Sequence, residues 1–273
     1  MSVREEKLNE IRKRIFITGY KGGMAHLASC FSCIEILYSL YIERELTYDP
    51  KNPKWENRDR FILSKGHAGL ALYVILYETG LVKKDLLLSY LNNDFLIGGE
   101  PCIRDCEWIE ATTGSLGHGL SIGVGMAIGL RKKTDAKVYV LLGDGECEEG
   151  SVWEAAQTAS AYELNNLVVI IDSNKIQKMD FIDHIIGKNN TREKWESFGF
   201  LVDEVDGHNV DAICDVFHKK YDEKKPRMII ANTVKGKGVS IMENNPTWHF
   251  KLPNRKEVEI FKKELLIDDC EMN

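Results

Sequence analysis

Four short apolar runs, Phe61-Ile62-Leu63 and residues 138–142, 167–171 and 228–231, each stop at polar or glycine-rich residues and are separated by helical stretches. Residues 200–205 supply a fifth run. This alternation restricts the fold more than any other feature. Parallel strands need a long connection that returns over one face of the sheet, so the pattern predicts a doubly wound, mainly parallel α/β sheet with helices on both faces. A chain of 273 residues, 44% of them hydrophobic, can bury such a core as one domain over residues 1–273. Ligands of such sheets sit beyond the carboxyl ends of the strands, which makes the residues after each run the ones to inspect.

The flanking segments fit this frame. The first 43 residues read as helical, with Leu8, Ile11 and Ile15 on one face and Ile34, Leu37, Leu40 and Tyr41 on another. A turn-rich loop with Pro50 and Pro53 follows over residues 47–60, and a charged helix is expected at about 255–266. Residues 233–255 form a loop with Pro246 and Pro253 whose length points to function.

A net charge of −6 argues against nucleic acid, which would need clustered excess Lys and Arg. No apolar run reaches membrane-spanning length, and the charged first ten residues do not form a secretory signal. Seven cysteines, an odd number, suggest a reducing compartment, so the cytoplasm is expected. Cys30 and Cys33, at i and i+3 of an apolar helix, read as small core residues rather than half of a zinc site with Cys102 and Cys106.

The run that ends Leu142-Gly143-Asp144-Gly145 is a strand stopping in a tight turn, in which Asp144 offers a hard oxygen. Ser151-Val152-Trp153-Glu154 reads as a capping box opening a helix to about Glu163, and the next strand ends in Asp172-Ser173-Asn174. Asp144 and Asn174 thus follow adjacent strand ends, where a carboxylate and an amide oxygen suit magnesium or calcium and leave positions open for phosphate. Both residue types are also common in plain turns. The segment Gly114-Ser115-Leu116-Gly117-His118-Gly119 precedes a helix at about 120–131, so its amides can face an anion or a polar ring. Gly123, Gly125, Ala127 and Gly129 read as allowing close helix packing, a subunit interface included.

Gly143-Asp144-Gly145 followed by Asn174 resembles the thiamine diphosphate motif, and residues 143–155 resemble its transketolase version. Ser64-Lys65-Gly66-His67-Ala68, Thr113 to Gly117, Asp206-Gly207-His208, Lys235 to Gly238 and Trp248-His249 fall in the order of a transketolase amino-terminal domain. The resemblance implies a thiamine diphosphate site with a magnesium ion, calcium or manganese being alternatives. It assigns Asp144, Asn174 and the Ile176 carbonyl to the metal. Gly143, Gly145, Glu146, His67 and His249 are implied against the diphosphate, and Gly114, Ser115 and Leu116 along the aminopyrimidine. Glu149 matches a carboxylate in a proton-sharing network between subunits, and His26, His67 and His249 match catalytic histidines. His184, His208 and His218 are left as structural or surface residues.

The chain also departs from that pattern. Ala25-His26-Leu27 replaces a Gly-His-Pro-Gly-Gly segment, Gly98-Gly99-Glu100-Pro101 replaces a second Gly-His-Pro, and His118 stands for a common glutamine. His26, Glu100 and His249 are the expected sugar contacts, with Glu100 altering sugar choice. The activating glutamate of transketolases lies in a pyrimidine-binding domain that these residues do not contain. The resemblance therefore implies the amino-terminal subunit of a split transketolase, a heterotetramer of two such chains and two partner chains that moves a two-carbon ketol unit between sugar phosphates. A 1-deoxyxylulose-phosphate synthase, a dihydroxyacetone synthase and a non-catalytic phosphate-binding regulator are the alternatives.

Overall fold

The computed structural model describes residues 2–24, 26–91, 97–178, 180–188, 190–221 and 224–272. Its strands are β1 (Arg60–Leu63), β2 (Val138–Gly143), β3 (Leu167–Ser173), β4 (Ile176–Gln177), β5 (Asp180–Phe181), β6 (Leu201–Asp206) and β7 (Arg227–Asn232). Five of them form a wholly parallel sheet in the order β1-β2-β3-β7-β6, and all five correspond to the apolar runs. The hairpin β4-β5, two residues a side, has no counterpart among the sequence expectations, since it is too short for any periodicity to register.

The central strands β2, β3 and β7 are apolar on both faces because helices cover both faces. Phe61, Tyr139, Leu141, Val168, Ile170 and Ile229 point into one core layer, while their neighbours Ile62, Val140, Val169, Ile171 and Ile230 point into the other. The helices are α1 (Val3–Lys21), α2 (Leu27–Ser32), α3 (Ile34–Tyr41), α4 (Gly69–Glu78), α5 (Lys84–Leu88), α6 (His118–Leu130), α7 (Gly150–Ala161), α8 (Ile182–Ile185), α9 (Thr191–Ser197), α10 (Val210–His218), α11 (Arg255–Leu265) and α12 (Asp269–Met272). Buried residues of α1–α5, α10 and α11 make the first layer, and those of α6, α7 and α9 the second. Cys30 and Cys33 are fully buried in the first layer, as small core residues.

The β2–β3 crossover runs through α7 in one layer and the β6–β7 crossover through α10 in the other. Right-handed crossovers on opposite faces carry the chain in opposite directions, so the strand order reverses between β3 and β7. A crevice opens at such a reversal, and here it lies beside Asn174 and the segment after Asn232.

Two local expectations are corrected. The first 43 residues are three helices, interrupted at Gly22–Gly23, where Gly23 takes φ +71°, and again at Cys33. No capping box forms at Ser151: α7 starts at Gly150 with Glu149 as its cap, and Ser151 Oγ donates to the Gly117 carbonyl at 3.1 Å. Contact with the loop before α6 claims the hydroxyl that the local motif would use.

Candidate active site

The segments after β1, β2, β3 and β7 meet the α2 amino terminus and the 233–255 loop around a cavity of about 300 Å³. Each wall has a local cause. After β1 the chain makes a tight turn, Gly66–Ala68, before α4. A Cβ at Gly66 would stand 2.7 Å from the Gly114 amide nitrogen, so only glycine admits the 113–114 loop beside His67. His26 precedes α2, and His249 closes a short turn (Pro246–Trp248) anchored by buried Trp248 against Phe261. His26, far away in sequence, thereby lies 5.3 Å from His67 and 5.5 Å from His249, with His67 and His249 5.8 Å apart, ring centre to ring centre.

The three imidazoles are held neutral. Burial, then the charges of Lys235 and Lys65, push His26 down to about 4. Burial followed by Lys235 pushes His249 to about 3, and burial followed by Lys65 pushes His67 well below the usual histidine range.

Two lysines that stand within the sequence motifs without an expected role, Lys65 and Lys235, are buried here. Lys65 is 1% exposed and pairs with Asp172, itself 0% exposed. Asp172 also accepts from Ser32 Oγ at 2.5 Å, from Thr233 and from Asn174 Nδ2 at 3.3 Å, so one carboxylate ties together α2, the segment after β1, β3 and the segment after β7. Burial opposes its charge most strongly, but Lys65 with the Ser32 and Thr233 hydroxyls together outweighs burial and keeps the carboxyl below its usual value. Lys235 donates to the Ile176 carbonyl at 3.1 Å and to His249 Nδ1 at 3.0 Å. The signal for both lysines is positional: they follow closely on strand ends.

Asp144, Asn174 and the Ile176 carbonyl, the three expected metal donors, border the same cavity. Among the described residues Asp144 accepts only backbone amides, Gly145 at 2.8 Å and Lys175 at 2.5 Å, and burial with the adjacent Asp172 charge pushes its carboxyl up. A half-buried carboxylate with amides but no ion pair among the described residues fits a cation, and the three oxygens match the hard donor set of magnesium or calcium. Among the described residues no three His, Cys, Asp or Glu side chains converge as a metal site, so the zinc reading of the cysteines finds no geometry.

Gly114, Leu116, Gly143, Gly145, Glu146, Glu149 and Glu100 also line the cavity. Glu146 is spent on the protein itself: it accepts from Ser64, from the Gly117 amide at 2.9 Å and from the Gly143 amide at 3.0 Å. The anion that the amides before α6 receive is thus an internal carboxylate. Ser115 is exposed and lies outside the cavity lining. Gly123 packs on β2, where an added Cβ would meet Val140 at 2.5 Å, whereas Gly125 and Gly129 face open space. His208 is a strut, its Nδ1 3.0 Å from Glu35 and its Nε2 accepting the Val234 amide at 2.8 Å, beside Lys235. His184 and His218 lie by Asp180 and Glu45.

The family profile described as "Transketolase, thiamine diphosphate binding domain" matches residues 8–271. The chain is 41% identical over 265 residues to a subunit of the apulose-4-phosphate transketolase of Actinobacillus succinogenes, covering 96% of this chain and 95% of that protein. It is 37% identical over 247 residues to a 6-deoxy-6-sulfo-D-fructose transketolase subunit of a Clostridium species, covering 90% of each. Human transketolase is 37% identical over 246 residues, which span 88% of this chain and 38% of the human protein. The solved transketolase of Campylobacter jejuni superposes with a TM-score of 0.85 at 27% identity, over 98% of this chain and 44% of that one. The chain therefore spans about two fifths of these single-chain transketolases and nearly all of the subunit relatives.

Proposed function

The chain belongs to the transketolase family through its thiamine diphosphate-binding domain, and we propose that it is one subunit of an enzyme moving a two-carbon ketol unit from a ketose phosphate or related sugar to an aldose. The observation that carries this reading is the convergence of Asp144, Asn174 and the Ile176 carbonyl with Lys235 and three neutral histidines at one sheet edge. The three oxygens hold a divalent ion, magnesium by preference and calcium or manganese as substitutes. Lys235, Gly145, His67 and His249 then face the diphosphate, with Gly114 and Leu116 beside the aminopyrimidine.

Bound thiamine diphosphate supplies the nucleophilic carbon and the electron sink for ketol transfer. The protein's own groups handle protons and orientation. His249, whose Nδ1 accepts from Lys235, presents Nε2–H to the cavity, while neutral His26 and His67 are able to accept hydroxyl protons. Glu100, whose carboxylate lies over Gly114, and Glu149, exposed beside Gly117, stand at the cavity's edge for the sugar and for a neighbouring subunit respectively.

The subunit relatives, matched along 95% and 90% of their own length, support a partner chain that carries the pyrimidine-binding domain and the activating glutamate. Two of each chain form the working heterotetramer in this reading, with residues 1–273 as one cofactor-binding domain. No described helix is long and apolar enough to cross a membrane, and a cytoplasmic setting is supported by seven free cysteines. Mixing the chain with that partner, thiamine diphosphate and magnesium is expected to transfer ketol units from a ketose phosphate without consuming pyruvate. Absence of transfer from every ketose tried, or a dependence on pyruvate, refutes the reading.

A further inference from the structure

Outside the cofactor cavity lies a second chamber of about 620 Å³, lined by His26, Lys178, Pro246, Thr247, His249 and Phe250. It shares His26, Lys178 and His249 with the inner cavity, so a molecule reacting inside extends into it. Its two distinctive groups are unlike each other. Phe250 is 70% exposed, with its ring 4.8 Å from that of His26 and inclined at 62°. Lys178 is exposed at the chamber's rim and makes no hydrogen bond or ion pair with a described residue, while the nearby Asp180 is engaged by the Phe181 amide and His184. Lys178 sits at φ +44° where β4 turns into β5, the left-handed conformation that a tight hairpin connection uses, and the turn holds it at the chamber.

We propose that Lys178 and Phe250 form a specificity subsite for an anionic open-chain sugar, its carbon face on the Phe250 ring and its terminal oxyanion on the Lys178 ammonium. The identity of the ligand as a sugar rests on the ketol-transfer reading above. The chemistry of the chamber selects such a ligand in three ways. An exposed ring covers the C–H face of a sugar and gains by leaving water. The imidazoles beside it hydrogen-bond hydroxyls, and an unpaired ammonium accepts any tetrahedral oxyanion as a point charge. Phosphate and sulfonate share this chemistry.

The test uses the complex with the partner subunit, loaded with thiamine diphosphate and magnesium. Calorimetry with glucitol 6-phosphate and glucitol, which lack a carbonyl and cannot react, reads binding apart from turnover. Lys178→Met is expected to weaken glucitol 6-phosphate about tenfold relative to glucitol. Lys178→Arg restores most of it, and Phe250→Ala weakens both ligands alike. In steady-state assays the KM for fructose 6-phosphate or 6-deoxy-6-sulfofructose rises in Lys178→Met while kcat carries little of the loss. A rise with only one of the two identifies its oxyanion as the group recognised. An unchanged phosphate preference in Lys178→Met, or an equal loss of thiamine diphosphate affinity, overturns the subsite. So does a Phe250→Ala variant that loses only its affinity for the partner subunit. Lys178-dependent binding of glucitol 6-phosphate by a complex that turns over no ketose upholds the subsite and refutes the ketol-transfer reading alone.

Discussion

The Lys235 ammonium lies 3.0 Å from Nδ1 of His249. An ammonium has only donors, so Nδ1 accepts and the ring proton resides on Nε2. The same ammonium reaches the Ile176 carbonyl at 3.1 Å, so one buried lysine sets the tautomer of a histidine and touches a metal-donor carbonyl.

Lys235→Met removes that charge. The variant is expected to bind thiamine diphosphate at least about tenfold more weakly, the scale of one lost charge-assisted contact. Burial is the first cause of the low His249 value and Lys235 the second, so the His249 midpoint also moves up from about 3. Calorimetry and histidine NMR of the chain check the two effects separately.

The Lys65–Asp172 pair is buried under the cavity floor. Breaking such a pair from one side strands a charge and costs about 3–5 kcal/mol. Lys65→Met is therefore expected to lower stability by that amount in urea unfolding. Adding Asp172→Asn to Lys65→Met recovers part of the loss, because the stranded carboxylate is gone. A strictly additive pair of losses argues against coupling.

His26 has its folded-state value pushed down to about 4, first by burial and then by Lys235 and Lys65. It is thus neutral at neutral pH and available as a proton acceptor. The His26 ring signals are expected to show no titration between about pH 5.5 and 8, the range where an unperturbed histidine titrates. A midpoint near 6.5 contradicts the geometry.

Glu35 is buried, which raises its carboxyl, but Arg12 and then His208 outweigh burial and leave it below 4.5. The unfolded chain therefore binds the proton more readily, and the pair's stabilisation, complete above 4.5, is lost as pH falls through the lower folded value. Denaturant midpoints measured from neutral pH down to about pH 3 are expected to fall less steeply in Glu35→Gln, which starts lower.

Gly114 holds φ +129°, and a Cβ there would stand 2.0 Å from Glu100 Oε2. Gly114→Ala must displace either the loop or Glu100, and it is expected to destabilise by at least about 1 kcal/mol and to weaken cofactor binding. Adding Glu100→Ala relieves the clash but not the strained φ, so it restores only part of the stability.

Much of the architecture was legible along the chain. Both-faced apolar runs such as 167–171 dictate a covered parallel sheet, and Asp144 and Asn174 follow from their place after adjacent strand ends. Periodicity and strand-end position are local properties, so a linear sequence carries them. What only the tertiary structure decided depends on contacts between distant segments. It brought His26 within 5.5 Å of His249, turned Glu146 inward to staple the loops, and took the Ser151 hydroxyl from its expected capping role. It also drove Lys65 and Lys235 into the interior, where a charge survives only beside the partners that the fold delivers, Asp172 for one, and the Ile176 carbonyl with His249 for the other.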